Sequence, residues 1–167
     1  INTYLDIKNN EEILEIGCGW GTLSKYLFEN NTISIDAITI SEEQLKYAKD
    51  LGVTKSLGQC NFKLEDYRKI QSKYDKIVSV EMIEAVGSKY LPIYIDTIKK
   101  CLQNDGHAII QGITIADDKF AKYSRQVDFI QKYIFPGGFL PSKKLLEKIA
   151  NKKKLNIEVL EDFNQSY

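Results

Sequence analysis

Residues 14–23, LEIGCGWGTL, place Gly17, Gly19 and Gly21 at alternate positions directly after an apolar run. Ile13 to Ile16 reads as a short strand, and Gly21 to Phe28 as a helix, because Leu23, Leu27 and Phe28 recur at helical spacing. In an open α/β sheet the turn between the first strand and its helix is where backbone comes closest to a ligand. Glycine permits that approach and the positive φ angles of a tight turn. The G-K-[ST] ending of a phosphate-cradling loop is missing. Glu15 stands where a carboxylate can bind an ammonium or a hydroxyl, and the helix start offers N–H groups to a ligand carboxylate. An amino-acid-bearing nucleoside therefore fits this turn as well as a dinucleotide.

The rest of the chain extends the same rhythm. Ile33, Ile35 and Ala37 alternate with polar residues up to Ile38, and Ser41 with Glu42 and Glu43 starts a second helix as an N-cap with acids in the first turn. Further strands are expected at Asn61 to Leu64, at Lys76 to Val80, and at Ala108 to Ile115 after the turn Asn104, Asp105, Gly106, with a helix from Lys89 to Leu102 between the last two. This alternation predicts an α/β fold, a mostly parallel sheet with helices on both faces. After Ile115 the rhythm breaks into a charged, aromatic, helix-like insert, Asp117 to Tyr133, and a loop from Phe135 to Pro141. Helix and strand are expected to resume from Ser142 to Phe163.

Length and charge narrow the function. The 167 residues suit one domain, and 23 Lys plus Arg balance 23 Asp plus Glu, which points to no nucleic-acid partner. No apolar run reaches the roughly 20 residues that span a bilayer, and no signal peptide opens the chain, so a soluble cytoplasmic protein is expected. Cys18, Cys60 and Cys101 lack paired spacing and read as reduced thiols. His107 is the only histidine, so neither a multi-histidine metal centre nor a Ser-His-Asp triad is expected.

LEIGCGWG, AITISEEQ, LEDYR, DKIVSVEMIEAVG and FIQKYIFPGGFLPS, in this order and spacing, resemble the cyclopropane-fatty-acyl-phospholipid synthase and mycolic acid cyclopropane synthase family from about Ile13 to Tyr167. The resemblance implies a Rossmann-like class I methyltransferase fold that uses S-adenosylmethionine (SAM) and yields S-adenosylhomocysteine. It implies methyl transfer to the cis double bond of an unsaturated phospholipid acyl chain at a membrane surface. By position, Glu15, Gly17, Cys18, Gly19, Trp20 and Gly21 form the loop on the methionine side of the cofactor. Thr39, Ile40, Ser41 and Gln44 are the ribose side, and Asp66 with Tyr67 the adenine side.

An alkene attacking the sulfonium methyl leaves a carbocation, and a proton must then be removed to close the ring. The resemblance implies a bound bicarbonate as base, held by Glu84, by backbone at Val80 and Ile113, by residue 111 and by Tyr167. Residue 111 departs from the best-studied synthases: Gln111 stands where they carry histidine, and an amide can donate a hydrogen bond but cannot take up a proton. The family's cysteine ligand has no counterpart in this sequence, nor do the closing N-terminal segment and the final helix and strand. The chain therefore reads as the core of a longer protein with an open pocket and a weakened sheet edge.

Phe120, Phe129, Tyr133, Ile134, Phe135 and Phe139 are candidates to line an acyl tunnel, against the plainer reading of an aromatic loop packed on its own helices. The basic stretch from Lys143 to Lys154 suits anionic headgroups, or simply a solvated helix face. Three other functions remain open to the residues: a lipid methyltransferase that ends as a methyl branch, a small-molecule N-methyltransferase, and a catalytically inactive SAM-binding domain.

Overall fold

The computed structural model describes residues 1–52, 58–124 and 138–163. A short helix α1 (Asn2–Leu5) precedes β1 (Glu12–Ile16), α2 (Thr22–Asn30), β2 (Ser34–Thr39), α3 (Glu42–Asp50) and β3 (Cys60–Leu64). There follow β4 (Tyr74–Val80), α4 (Ile83–Val86), α5 (Leu91–Cys101), β5 (Leu102–Gln111), α6 (Asp117–Tyr123) and α7 (Lys143–Lys152). The five strands form one sheet in the order β3-β2-β1-β4-β5, and every pairing is parallel. β1 lies at the centre, and four of its five residues are buried, as expected of a strand covered on both faces.

Alternation along the strands sends side chains to two cores. Ile13 and Ile35 pack with Leu27 and Phe28 of α2, and Ala37 and Phe62 pack with Ala48 of α3. On the opposite face Leu14, Ile16 and Ile77 pack with Tyr94, Ile95 and Ile98 of α5, and Ala150 of α7 joins them. That second face also carries a polar strut. Asp36 accepts hydrogen bonds from Asn61 at 3.0 Å, Lys63 at 2.6 Å and Tyr74 at 2.9 Å, so one β2 carboxylate ties β3 to β4. Burial works against the charged form, but these three donors outweigh it and hold the carboxyl below its ordinary range.

Helix starts follow from their caps. Ser41 and Ser142 each accept from the N–H three residues on, at 3.3 Å, opening α3 and α7, and Pro92 sits in the first turn of α5 where its missing N–H costs nothing. The sequence places four strands and three long helices within a few residues of these positions, and it misplaces the last part of the sheet. β5 begins at Leu102, and the expected turn at Asn104 to Gly106 is a register break within it: Tyr74 pairs with Leu102, yet Lys76 pairs with His107. It also ends at Gln111 instead of Ile115, which makes only an isolated bridge to Ser142. No strand forms over residues 154–163, where Ile157, Val159 and Phe163 lie exposed.

Between β1 and β4 the strand order reverses, so the crevice for a ligand opens at the carboxyl ends of those two strands. His107 lies away from it, near the start of the β4–β5 pairing, its Nδ1 3.1 Å from Lys76 Nζ. Among the described residues no helix is long and apolar enough to cross a membrane.

Candidate active site

The glycines after β1 do three different things. The N–H groups of Gly17 and Cys18 both donate to Ile38 O, at 3.0 and 2.9 Å, which fastens the loop to the end of β2. All three glycines have φ between 53° and 81°, a region that costs other residues roughly 1–2 kcal/mol. A Cβ on Gly17 would come within 3.1 Å of Met82 Sδ, and one on Gly21 within 2.8 Å of Phe62 and 2.9 Å of Ala48, so these two exist for packing. A Cβ on Gly19 would meet nothing within 4 Å. Gly19 is thus the point where the loop turns bare backbone to open space.

Glu15 sits beneath this loop, almost wholly buried, and accepts a hydrogen bond from Ser24 of α2. Burial pushes its carboxyl up to about 7, against the pull of that hydrogen bond. Cys18 is core and not contact surface: its thiol packs with Ala37, Ala48 and Phe62 and is pushed up to about 12 by burial and then by Glu15. Trp20, by contrast, is 54% exposed, with its ring edge-on to Tyr47 of α3 at 5.3 Å. Cys18, Cys60 and Cys101 are all free thiols.

At the end of β2, buried Thr39 donates to Gln44 Oε1 at 2.7 Å and accepts from Ser41 N at 3.1 Å. The Gln44 carbonyl is therefore fixed inward, and its NH₂ end is the part left to donate to a ligand hydroxyl. Ile40 is 78% exposed beside them. Asp66 accepts from the Arg68 backbone N–H and Nε, both at 2.9 Å, and pairs with its guanidinium. Tyr67 is buried edge-on to Tyr94 at 5.5 Å in the α5-side core. The structure thus brings Glu15, the glycine loop, Thr39, Ile40, Ser41 and Gln44 to one stretch of the carboxyl edge, whereas Asp66 is engaged by Arg68 and Tyr67 turns inward.

On the other side of the crevice, Val80 at the end of β4 stands in register with Gln111 of β5. Glu84 Oε1 accepts from the N–H of Ile113, Phe139 N–H donates to Glu84 O at 2.9 Å, and Glu84 Oε2 is buried without a partner. Gly112 makes this possible, since a Cβ there would lie 2.4 Å from Ile83 and 3.2 Å from Glu84 Oε1. Sequence reasoning missed Glu81. Its backbone has φ 49°, its N–H donates to Gln111 O at 2.9 Å, and its carboxylate accepts from Gln111 Nε2 at 3.4 Å. The signal was available: Glu81 directly follows a strand, the same rule that singles out Glu84. Tyr167 lies outside the described residues, as do Phe129, Tyr133, Ile134 and Phe135. Of the remaining tunnel candidates, Phe120 packs edge-on to Phe139 at 5.9 Å, and Tyr123 lies 6.0 Å from Phe139, so these α6 aromatics pack against the segment that leads into α7.

A parallel sheet of this order, with its glycine turn at the central strand, defines the class I methyltransferase fold. Consistent with that, the structure of mycolic acid cyclopropane synthase CmaA1 complexed with SAH and CTAB superposes with a TM-score of 0.83 at 22% identity, over 94% of this chain and 59% of that one. The family model for mycolic acid cyclopropane synthetase matches residues 1–167, and the chain belongs to that family. Cyclopropane-fatty-acyl-phospholipid synthase of Escherichia coli K12 is 36% identical over 165 residues, 96% of this chain and 39% of its own length. Tuberculostearic acid methyltransferase UfaA1 of Mycobacterium tuberculosis H37Rv is 35% identical over 154 residues, 90% of this chain and 36% of its own length. The chain thus spans well under half of these curated relatives.

Proposed function

We propose that this protein transfers a methyl group from SAM to the cis double bond of an unsaturated phospholipid acyl chain and closes a cyclopropane ring. The observation that carries the reading is the open space at Gly19, flanked on one side by exposed Trp20 and the Gln44 amide and bounded across the crevice by strand-end carboxylates. A ligand with an amino-acid end, a hydroxylated sugar and a flat ring finds a donor and an apolar surface there in the right order. Bound SAM supplies an electrophilic methyl group. The chain's part is to expose Gly19 backbone to it, to offer the Gln44 NH₂ to the ribose, and to lay Trp20 and Ile40 along its apolar parts.

Relatives named for a cyclopropane synthase and for a fatty-acid methyltransferase match about equally well, so a methyl branch is the second reading. Among the described residues, two of the donors that the resemblance implies for bicarbonate are already engaged, the Ile113 N–H by Glu84 and the Gln111 amide by Glu81, and Tyr167 lies outside the described residues. The proposal is tested by incubating full-length protein with labelled SAM and membranes and analysing acyl chains by mass spectrometry. Gain of CH₂ with loss of the double bond is the expected result. Gain of CH₂ with an alkene retained indicates a branch instead. Label in a small amine, or no label anywhere, overturns lipid methylation.

A further inference from the structure

We propose that Glu81 is the proton acceptor of the reaction, positioned by Gln111, and that this protein carries its base in the chain. The inference rests on the lipid-methylation reading above. Four observations converge on it. Glu81 is the first residue beyond β4, at the carboxyl end next to the strand that carries the glycine loop. It holds a left-handed backbone at φ 49°, which a glycine would adopt freely and a glutamate adopts only at a cost. Two hydrogen bonds lock it to Gln111, at 2.9 Å through its own N–H and 3.4 Å to its Oε1, and among the described residues no ion pair neutralises it.

Glu81 is also exposed, while the alternatives are not available. Glu84 has Oε1 occupied by the Ile113 N–H and Oε2 buried, so it fastens the β5 exit to α4. Gln111 has no proton-accepting nitrogen, but its amide donates to one oxygen of the exposed Glu81 carboxylate. The step balances as follows. The alkene π pair forms a bond to the methyl carbon while the sulfur–methyl bond breaks, its pair remaining on sulfur. A proton then leaves the transferred methyl for the Glu81 carboxylate, the freed C–H pair closes the three-membered ring, and the carboxylic acid returns its proton to water.

The test uses the full-length protein with labelled SAM and unsaturated phospholipid vesicles. Glu81→Gln and Glu81→Gly are expected to lower methyl incorporation about 10²- to 10⁴-fold, the usual contribution of a positioned base, with an unchanged rise in Tm on adding S-adenosylhomocysteine. Added formate is expected to restore the glycine variant, which leaves a carboxylate-sized gap and a relaxed backbone, but not the glutamine variant. The parent enzyme is expected to keep its rate when bicarbonate is stripped from the buffer. Near-normal rates in both variants, loss without formate rescue, or a parent rate that falls with bicarbonate would each overturn the assignment of Glu81 and leave lipid methylation standing. A parent that labels no lipid overturns both.

Discussion

The loops after β1 and β2 are held by backbone and neutral side chains, Gly17 and Cys18 N–H on Ile38 O and Thr39 on Gln44, whereas the turns after β4 and β5 are held by carboxylates, Glu84 on Ile113 and Glu81 on Gln111. The first half fits a large ligand by shape, because its polar groups are spent on fixing the loop and what remains is space. The second half is arranged around charge, with Glu84 fastening its turn and Glu81 exposed at the strand end. Shape should fail when volume is added and charge when a carboxylate becomes an amide of the same size.

The largest effect is expected for Gly19→Val. The side chain enters the open space at Gly19 and takes a β-branched residue to positive φ. Isothermal titration with S-adenosylhomocysteine should show no measurable binding, while circular dichroism stays that of the folded protein. Gly21→Ala sharpens the contrast: its Cβ meets Phe62 and Ala48, so thermal melts should register the loss. Binding by Gly19→Val at the parental affinity would show that the open space is not the cofactor's.

Glu15 is the exception within the first half, a buried acid among neutral groups. Its folded pKa of about 7 exceeds the ordinary 4.5, so the folded state holds the proton more tightly than the unfolded chain. Stability is therefore full below about 4.5 and is lost as pH rises through about 7, by on the order of 3 kcal/mol. Melting temperature measured across that window should fall for the parent, and the fall should flatten in Glu15→Gln, whose carbonyl still accepts from Ser24.

A smaller change is expected for Glu84→Gln. The amide oxygen can keep the Ile113 N–H, but the NH₂ end must occupy the buried position of Oε2, where no acceptor is found. An unsatisfied buried donor costs about 1–3 kcal/mol. Turnover should drop roughly tenfold, the equivalent of 1.4 kcal/mol, as the β5 exit loosens, with cofactor affinity unchanged by titration. Unchanged turnover would make Glu84 a surface acid with no part in holding the second half.

The contrast between the halves also explains what could be read from residues alone. Short-range patterns gave the strand–turn–helix around Gly19 and the Ser41 cap, since each depends on neighbours a few positions away. The resemblance placed Glu84 and Gln111 in one site, and the structure brings both to the crevice. Glu81 was overlooked because its importance lies in a φ angle and a partner on another strand. The inward turn of Tyr67 was hidden for the same kind of reason: which way an aromatic turns depends on Tyr94, across the fold. The end of β5 and the stretch 154–163 escaped because strand boundaries depend on what lies alongside them.

The central position of β1 has a consequence for how this chain acquires its structure. β1 pairs with β2 almost at once, but its other edge waits for β4, where Ile13 meets Lys76. Until that distant segment arrives, the central strand of the sheet has unpaired N–H and C=O groups along one side. Parallel pairings across such separations are slow to form, since the closure of the intervening chain must come first. A newly made chain halted before β4 is therefore expected to be aggregation-prone, and association of β4 is the step that buries the hazard.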